Sequence, residues 1–503
     1  MRSTSKTLPP PINGWDTRTA LSDMPPDHAI VLDNWFPETD RVTVRRGNTS
    51  HATGMSGAVE TLIEYVPLTA SGKMFAANDG NIYDVTSPGA VGAAVVTGMS
   101  SDRWQQVQIG TAAGQYVRLF NGLDTPQVYD GSTWGTTPAI TGPTAASLVW
   151  GNVHQKRLWF GEKDSLSAWY LAVNSVGGAA TEFPLAGIAR LGGYLVGMGT
   201  WTRDAGDGMD DVAVFLTSEG EAIVYQGTDP ASASAWSLVG VFRIGKPIGR
   251  RCFVKAGADL ILVTQDGFVP LAAILTLDRS QARLAAISDQ INRAVNDAVR
   301  DYGALFGWEP IVYPRGRMLV FNIPQSTTTA HQYVFNTITG APCRFTGINA
   351  KCFALLNDSA YWGGSDGVVY KFDDGVSDDG ANIEADALQA FNYFGSPQSN
   401  KVFKLVEPIF QSDGAAAPAI DLNTDFNITT PTGVATAPTV ASGLWNVMKW
   451  NQGIWGGDDQ IYRGWHGVRG TGRAAAIRIR VNTNSPRPSW ISTNFTFVRG
   501  GQL

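Results

Sequence analysis

The sequence predicts a mainly β protein: a β-propeller of six or seven blades with an inserted helix and a C-terminal β-sandwich-like domain. Three observations favour this fold class. Glycine is abundant, at 56 of 503 residues. Charged residues make up only 16% of the chain, against about 25% in an average protein. A strand–turn–strand unit also recurs, and its turns have the spacing of propeller blades. This pattern suits many short strands joined by tight turns rather than a helical bundle.

The recurring unit is an apolar run, a turn that contains glycine, and a second apolar run. Asp-Gly and Asn-Gly readily adopt the positive φ of a two-residue hairpin turn, and β-branched and aromatic flanks suit a half-buried sheet surface. The turn glycines lie at positions 80, 122, 161, 220, 267 and 367, and a hairpin-like segment at 318–336 falls inside the last gap. Most intervals match blades of about 40 to 50 residues. A pair of ordinary β-sandwiches is the alternative, because two of the intervals are irregular.

One segment has a helical period instead. Apolar residues recur at helical spacing between Ile287 and Tyr302, Ser288 is a candidate N-cap, and Gly303 is a candidate stop. We therefore predict a helix near 287–302, inserted between blades. Its apolar stripe packs either on the propeller of its own chain or on a neighbouring subunit.

Changes in composition predict three parts of the chain. Residues 1–58 are expected to form an extended strap, residues 59–372 the propeller, and residues 373–503 a β-rich domain. In the last part, residues 420–428 alternate between apolar and polar side chains, as a half-buried strand does. A long loop follows, and its tryptophans fit neither a helix stripe nor a strand face: Trp445, Trp450, Trp455 and Trp465. These rings are either exposed at an interface or anchored in the core.

Charge is unevenly distributed along the chain. The net formal charge of −6 argues against tight binding of nucleic acids, which needs clustered Lys and Arg. Residues 461–503, however, contain seven arginines and no Asp or Glu. Two of them, Arg478 and Arg480, alternate with apolar residues. Either a docking surface for an acidic partner or the solvated face of a strand explains this pattern.

Residues that usually carry catalysis or bind metals form no recognisable motif. The five histidines are widely separated, and no pair has the spacing of metal ligands. No nucleophile elbow, zinc-protease, P-loop or dinucleotide motif occurs. The acidic clusters at 204–211 and 373–379 are interpreted as solvated turns. We therefore predict that the protein is not an enzyme, that it uses no metal or cofactor, and that it has no catalytic residues.

The N-terminal residues and the cysteines bear on the cellular compartment. The first eleven residues lack the apolar segment of a signal peptide, and no apolar run approaches the about 18 residues of a membrane span. Three cysteines are too few for a disulfide framework. These features predict a protein made in a reducing cytoplasm, without a membrane span.

The N-terminal stretch is the most distinctive part of the sequence. It contains the segments 14–18 (GWDTR), 24–29 (MPPDHA), 32–37 (LDNWFP) and 42–47 (VTVRRG). Further distinctive segments are 217–221 (TSEGE), 225–230 (YQGTDP) and 391–395 (FNYFG). Together they resemble tail proteins of tailed bacteriophages and prophages, most closely the β-propeller nozzle, or hub, of short-tailed phages. The resemblance extends from about residue 9 to the end of the chain and includes no catalytic signature.

The resemblance implies a structural protein of the virion tail. Such a protein assembles in the host cytoplasm as a homohexameric ring, below the portal and the head-to-tail adaptor and beside other tail proteins. The ring forms the distal tail tube, retains the genome, and passes the packaged DNA during ejection without sequence-specific binding. The candidate interface residues are Trp15, Trp35, Phe36, Trp445, Trp450, Trp455, Arg478 and Arg480. For the first three, packing within the chain is the alternative.

A glycan-binding or glycan-cleaving propeller, of the receptor-binding or depolymerase type, is the alternative function. It predicts two close carboxylates or an aromatic-lined pocket at the propeller axis.

Overall fold

The computed structural model describes residues 3–204, 209–276, 281, 284–414, 417–431 and 460–502. Strands account for 52% and helices for 5%, which confirms the prediction of a mainly β protein. The chain divides into two compact units. Unit 1 comprises Met1–Thr49, Gln332–Gly347 and Phe372–Leu503, and unit 2 comprises Ser50–His331 and Ile348–Lys371.

The N-terminal region contributes five short strands. They are β1 (Ser3–Leu8), β2 (Ala29–Asp33), β3 (Trp35–Pro37), β4 (Val42–Val44) and β5 (Asn48–Thr53).

Unit 2 continues as a series of antiparallel sheets. Sheet 1 contains β6 (Val59–Tyr65), β7 (Lys73–Asn78) and β8 (Asn81–Asp84), and the short β9 (Gly89–Ala90) follows. Sheet 2 contains β10 (Gln105–Thr111), β11 (Gly114–Phe120), β12 (Gln127–Tyr129) and β13 (Trp134–Gly135). Sheet 3 contains β15 (Leu148–His154), β16 (Arg157–Glu162), β17 (Ser167–Tyr170) and β19 (Thr181–Pro184). Two short strands outside this sheet, β14 (Ile140–Thr141) and β18 (Gly178–Ala179), pair with each other. Sheet 4 contains β20 (Leu195–Asp204), β21 (Met209–Thr217), β22 (Glu221–Gly227) and β23 (Trp236–Arg243).

The second half of unit 2 includes the helices. Sheet 5 contains β24 (Phe253–Ala256), β25 (Asp259–Thr264) and β26 (Gly267–Pro270), followed by α1 (Leu271–Thr276) and α2 (Asn292–Tyr302). Sheet 6 begins with the hairpin of β27 (Glu309–Tyr313) and β28 (Met318–Pro324), and β29 (Ala330–Asn336) and β30 (Pro342–Phe345) come next in the chain. Sheet 7 contains β31 (Ala350–Leu356), β32 (Ser359–Gly364) and β33 (Val369–Phe372), and it takes β5 as its fourth strand.

The sheets of unit 2 pack on one another in sequence order. Contacts join β6 to β11, β10 to β15, β15 to β20, β20 to β25, β24 to β27, and β27 to β31. The series returns to its beginning because β31 also contacts β6. Since β5 precedes sheet 1 in the chain but lies in sheet 7, the last sheet combines strands from both ends of the unit.

Local sequence explains the hairpins, and aromatic residues fill the space between sheets. Asp79 and Gly80 join β7 to β8 with φ values of 49° and 73°, as a two-residue hairpin turn requires. Between sheets 3 and 4, Trp159 stacks on Trp236 at a ring-centroid distance of 5.7 Å. Large rings bury much apolar area per residue, so they stabilise such sheet-to-sheet contacts strongly.

The predicted helix is present but starts later. A 3₁₀ turn covers Asp289–Ile291, and α2 begins at Asn292. Ser288 occupies the N-cap position of this turn, but it makes no side-chain capping bond, because its hydroxyl accepts the Phe268 N–H at 3.0 Å instead. The buried side chains of α2 are Val295 and Ala298, and the helix contacts β26 and β28 of unit 2. It therefore packs on its own chain.

Unit 1 contains two sheets. Its C-terminal strands are β34 (Ile383–Gln389), β35 (Ser399–Ser412), β36 (Ala419–Thr424), β37 (Gln460–Arg463), β38 (His466–Gly472), β39 (Ala475–Thr483) and β40 (Ser489–Gln502). In one of the two sheets, the strands that belong to unit 1 have the order β29-β30-β2-β34-β39-β36. The other has the order β3-β4-β40-β35-β37, with β1 paired to β40 and β38 paired to β35. The strand predicted at 420–428 ends at Thr424, because Asp425 and Phe426 form a turn with positive φ.

The two units differ from the sequence-based domain boundaries. Residues 1–58 do not form a separate strap, since they contribute strands to unit 1 and, through Ser50–Thr53, to unit 2. Residues 332–347, which were assigned to the propeller, belong to unit 1. The physical reason is that β2 needs partners for its backbone N–H and C=O groups and finds them in β30 and β34.

No helix in the described part of the chain is both long enough and apolar enough to cross a membrane.

Candidate functional site

The N-terminal aromatic residues predicted as interface candidates lie inside unit 1. Trp35 is fully buried and contacts Trp490 at a ring-centroid distance of 6.4 Å. Trp15 is buried and packs edge-on against Tyr333 at 5.4 Å, and Phe36 is also buried. These three rings are core residues rather than surface residues, so packing within the chain accounts for them.

The two arginines predicted as interface candidates lie on β39 and face carboxylates on β34. Arg478 donates two hydrogen bonds to Asp386, at 2.9 and 2.7 Å, and this pairing raises the pKa of the arginine. Arg480 lies 3.7 Å from Asp386 and 3.9 Å from Glu384. Their charges are therefore largely compensated within the sheet. The remaining candidates, Trp445, Trp450 and Trp455, lie outside the described residues.

The distinctive N-terminal segments form a polar network in unit 1. Arg45 is 2% exposed, donates to both carboxylate oxygens of Asp378 at 2.8 and 2.6 Å, and donates to the Asn34 side-chain oxygen at 2.8 Å. Asn34 has a φ of 59° and donates to the Thr346 hydroxyl and the Glu384 carbonyl, both at 2.8 Å. The network joins stretches more than 300 residues apart, so these residues have a structural role.

In unit 2, the first strands of several sheets surround a cavity of about 250 Å³. These strands pair with a neighbour on one edge only, and their other edge carries free backbone N–H and C=O groups that need partners. The polar residues around the cavity include Thr61, Gln106, Asn152, Arg251 and Glu309. We call this group the axial site.

Two glutamines of β10 cover the free edge of β6. The Gln106 side-chain oxygen accepts the Glu64 N–H at 2.8 Å. Gln108 accepts the Val66 N–H at 2.9 Å and donates to the Val66 carbonyl at 2.6 Å. Side chains of sheet 2 thus provide the hydrogen bonds that a further strand would provide in a larger sheet.

Two glutamates cover the free edge of β31 in the same way. The carboxylate of Glu64, on β6, accepts the Leu355 N–H at 2.6 Å. The carboxylate of Glu309, on β27, accepts the Phe353 N–H at 3.0 Å. The two amides are two residues apart, which is about 6.6 Å along a strand. Sheet 7 is therefore joined to each of its neighbours, sheets 1 and 6, by a hydrogen bond from a backbone N–H to a carboxylate.

The two glutamates have different surroundings. Burial, together with the nearby Glu309, raises the pKa of Glu64 to about 7 against the opposing effect of the Leu355 N–H. Burial also raises the pKa of Glu309, but the Arg251 guanidinium, 3.3 Å away, opposes that shift. Near neutral pH, Glu64 therefore exchanges a proton easily, while Glu309 has a cation beside it.

Arg251 connects sheets around the axial site. Its Nη2 donates to the Thr61 hydroxyl at 2.7 Å and to the Trp104 carbonyl at 3.0 Å. Its guanidinium also lies 5.3 Å from the ring centroid of Phe306, in a cation–π contact. The side chain thus links sheets 1 and 2 to Glu309.

The chemistry available at the axial site is proton exchange and hydrogen bonding. In the described residues, no group of three or more His, Cys, Asp or Glu side chains is arranged to hold a metal ion. All three cysteines are buried, and burial raises their thiol pKa values. Because a thiolate is the reactive form, these cysteines are chemically inert at neutral pH.

Sequence reasoning missed Glu64 and Glu309 because no motif marks them. A signal was present, since each is a charged residue in a strand whose other side chains are mostly apolar. Such a residue is expected to have a specific partner when it is buried. Only the packing of β6 and β27 around β31 identifies that partner.

No family model matches this chain, and no curated protein matches it significantly. Solved structures that the chain matches include the WD40 β-propeller domain of Doa1, with 12% identity, a TM-score of 0.38, and coverage of 65% of this chain and 97% of that chain. The computationally designed Ika8 protein has 10% identity, a TM-score of 0.36, and coverage of 68% and 96%. Chaetomium thermophilum Raptor has 11% identity, a TM-score of 0.37, and coverage of 66% and 29%.

Proposed function

We propose that this chain is a structural protein of a bacteriophage tail: the nozzle, or hub, that forms the distal DNA conduit below the portal and the adaptor. In this proposal it resides in the virion tail, retains the genome, and passes it during ejection. The resemblance of the N-terminal segments to such proteins is the starting point. The buried network of Asn34, Arg45 and Asp378 supports the proposal, because it gives those segments a structural task.

The single observation that carries the proposal is the closed series of sheets in unit 2. We infer that unit 2 is a seven-bladed propeller in which β5 completes the last blade, and that unit 1 is a β-sandwich-like domain. Along the inner edges, Gln106, Gln108, Glu64 and Glu309 bond to backbone groups. Polar side chains that are already bonded to backbone groups stabilise a rigid scaffold and are not positioned to bind a substrate.

The conduit in this proposal is the opening of a ring of subunits, not the cavity of one propeller. A volume of about 250 Å³ is below the 300 to 1,000 Å³ typical of small-ligand pockets, so a double helix does not fit there. A homohexamer provides a wider opening. The net charge of −6 per chain also limits attraction of DNA phosphates to its wall.

The assembly state tests this proposal. The purified chain is examined by mass photometry and negative-stain microscopy, alone and with an adaptor ring from a short-tailed phage. We expect discrete rings of one subunit number, at least in the presence of the adaptor. A chain that stays monomeric at every concentration and binds no tail component contradicts the proposal.

A glycan-cleaving propeller is the second candidate, and one observation favours it. Glu309 lies close enough to Glu64 to raise the pKa of its carboxyl group, and paired carboxylates with different proton affinities are what glycoside hydrolysis uses. Both carboxylates, however, are bonded to backbone amides of β31. Depolymerase assays on the wild type, Glu64→Gln and Glu309→Gln decide the matter. Turnover that either substitution abolishes supports the enzyme, and a wild type without activity on a broad glycan panel dismisses it.

A further inference from the structure

The contact between sheets 1 and 7 is where the series of sheets closes. Here β6 packs against β31, although Glu64 and Leu355 are 291 positions apart in sequence. The contact, which we call the seam, has an apolar part in which Val59 and Leu62 meet Cys352 and Ala354. The Cys352 thiol donates to the Val59 carbonyl at 3.4 Å. The seam also has a polar part, in which Glu64 accepts the Leu355 N–H at 2.6 Å.

The hydrogen bond from Leu355 to Glu64 crosses the seam directly. A carboxyl group accepts an N–H bond through its carbonyl oxygen whether it is neutral or ionised, so the bond itself survives titration. Ionisation of the carboxyl group nevertheless costs more free energy here than in water, because a charge that is partly removed from water loses hydration. That cost falls on the folded, closed seam and not on an open one.

The charged groups around Glu64 do not compensate a negative charge on it. Glu309, from β27, is the charged neighbour that acts on it most, and it has the same sign. Arg251 bonds to Glu309 rather than to Glu64. The other groups facing Glu64 are uncharged: the Gln106 side chain of β10, the Leu355 amide of β31, and Met74, which lies opposite on β7.

We propose that the seam between sheets 1 and 7 is a pH-sensitive closure, tight when the Glu64 carboxyl is neutral and weakened when it is ionised beside Glu309. The device lies within a single chain, so it holds whether or not the proposed tail function is correct.

The direction of the pH effect follows from proton binding. The pKa of Glu64 rises from 4.5 to about 7 in the folded protein, so between these values the folded chain holds a proton that the unfolded chain releases. The stabilisation is therefore fully present below about pH 4.5 and is lost as the pH rises through about 7. Above that range the seam is at its weakest.

The first test compares Glu64→Gln with the wild type. Glutamine keeps an oxygen acceptor for the Leu355 N–H but cannot ionise. Unfolding equilibria are measured from pH 5 to pH 8.5. We expect the ratio of the two unfolding constants to shift in favour of the glutamine variant by roughly 50- to 100-fold across this range, because most of the shift of the Glu64 pKa from 4.5 to about 7 is lost within it and each pKa unit is about tenfold. A ratio that does not change with pH overturns the proposal.

The matched control is Glu60→Gln. Glu60 lies on the same strand, but its carboxylate pairs with the exposed Arg103 at 3.0 Å. The ratio of the unfolding constants of Glu60→Gln and the wild type is expected to stay constant with pH. A pH dependence as large as that of Glu64→Gln contradicts a specific role for Glu64.

The second test needs no stable variant of Glu64. Hydrogen–deuterium exchange of the wild type is followed in peptides that cover β31, after correction for the intrinsic pH dependence of exchange. We expect opening of β31 to increase by roughly 50- to 100-fold between pH 5 and pH 8. Glu309→Gln removes the like charge next to Glu64. In this variant, we expect the increase in β31 opening to be smaller and to occur at a lower or equal pH. Exchange of β31 that is independent of pH in the wild type overturns the proposal.

Discussion

Single buried arginines hold distant parts of each unit together. In unit 2, Arg118 is 1% exposed, donates to the carbonyls of Val176 and Pro138, and has a pKa that burial lowers to about 10. In unit 1, Arg45 instead bonds to a carboxylate, that of Asp378. A buried ion pair adds little net stability over apolar residues, but loss of one partner is costly because the other charge stays behind.

Replacement of Arg45 by methionine is the prediction at this scale. Arg45→Met keeps most of the volume but removes the cation beside Asp378, which keeps only the Asn48 side-chain donor, and removes one of the two donors to the Asn34 oxygen. We expect a loss of about 2 to 4 kcal/mol in the free energy of unfolding, somewhat less than for a fully buried pair, since the Asp378 side chain is 22% exposed. Urea denaturation followed by tryptophan fluorescence measures it. The neighbouring exposed residue is the control: Arg46→Met should change stability by less than about 0.5 kcal/mol, and equal effects of the two variants would refute the assignment.

At the scale of elements, the connection between β4 and β5 depends on a close approach of two backbones. A Cβ atom on Gly47 would lie 1.8 Å from the Ser377 carbonyl oxygen. The Gly47 N–H donates to the Gly375 carbonyl at 3.2 Å, and its own carbonyl accepts the Asp374 N–H at 2.9 Å. A residue with a Cβ atom does not fit this contact. Packing therefore explains why the last residue of the 42–47 segment is glycine.

Substitution of that glycine should therefore destabilise unit 1. Gly47→Ala forces the two backbone segments apart, and we expect a cost of about 2 to 5 kcal/mol. The control is Gly187→Ala, because a Cβ there meets no atom within 4 Å. Thermal unfolding of both variants is the measurement. A Gly47→Ala protein with the melting temperature of the control would show that the segments separate at no cost.

At the scale of the whole molecule, β5 brings the two ends of unit 2 together. It joins sheet 7 from the other end of the chain, and its Ala52 is fully buried in the apolar cluster that contains Val59 and Cys352. A strand that arrives from a distant part of the sequence removes an exposed sheet edge, which otherwise invites aggregation.

A charge at this position tests the importance of β5. Ala52→Asp places an unpaired carboxylate among apolar side chains, and we expect a loss of more than about 3 kcal/mol, with earlier proteolysis of unit 2. Ala90→Asp, on the exposed neighbouring strand β9, should have little effect. Limited proteolysis and urea unfolding compare the two. Equal resistance of both variants would mean that β5 is dispensable for closure.

Local rules made much of unit 2 predictable. The turns at Gly80, Gly220, Gly267 and Gly367 have the positive φ that their sequence context indicated, because the conformation of a turn depends on a few adjacent residues. The position of α2 followed from its apolar period in the same way. The rings of Trp15, Trp35 and Phe36 were visible in the sequence, but their burial was not.

The amino-acid sequence by itself determined the strand content, the hairpin turns and the place of the helix, since each depends on residues that are close together in the chain. Only the tertiary structure decided that β2 pairs with β30 and β34, that β5 completes sheet 7, and that Glu64 and Glu309 meet at β31. The physical reason is that any free strand edge offers the same N–H and C=O groups. Which distant strand or side chain satisfies them depends on how the whole chain packs.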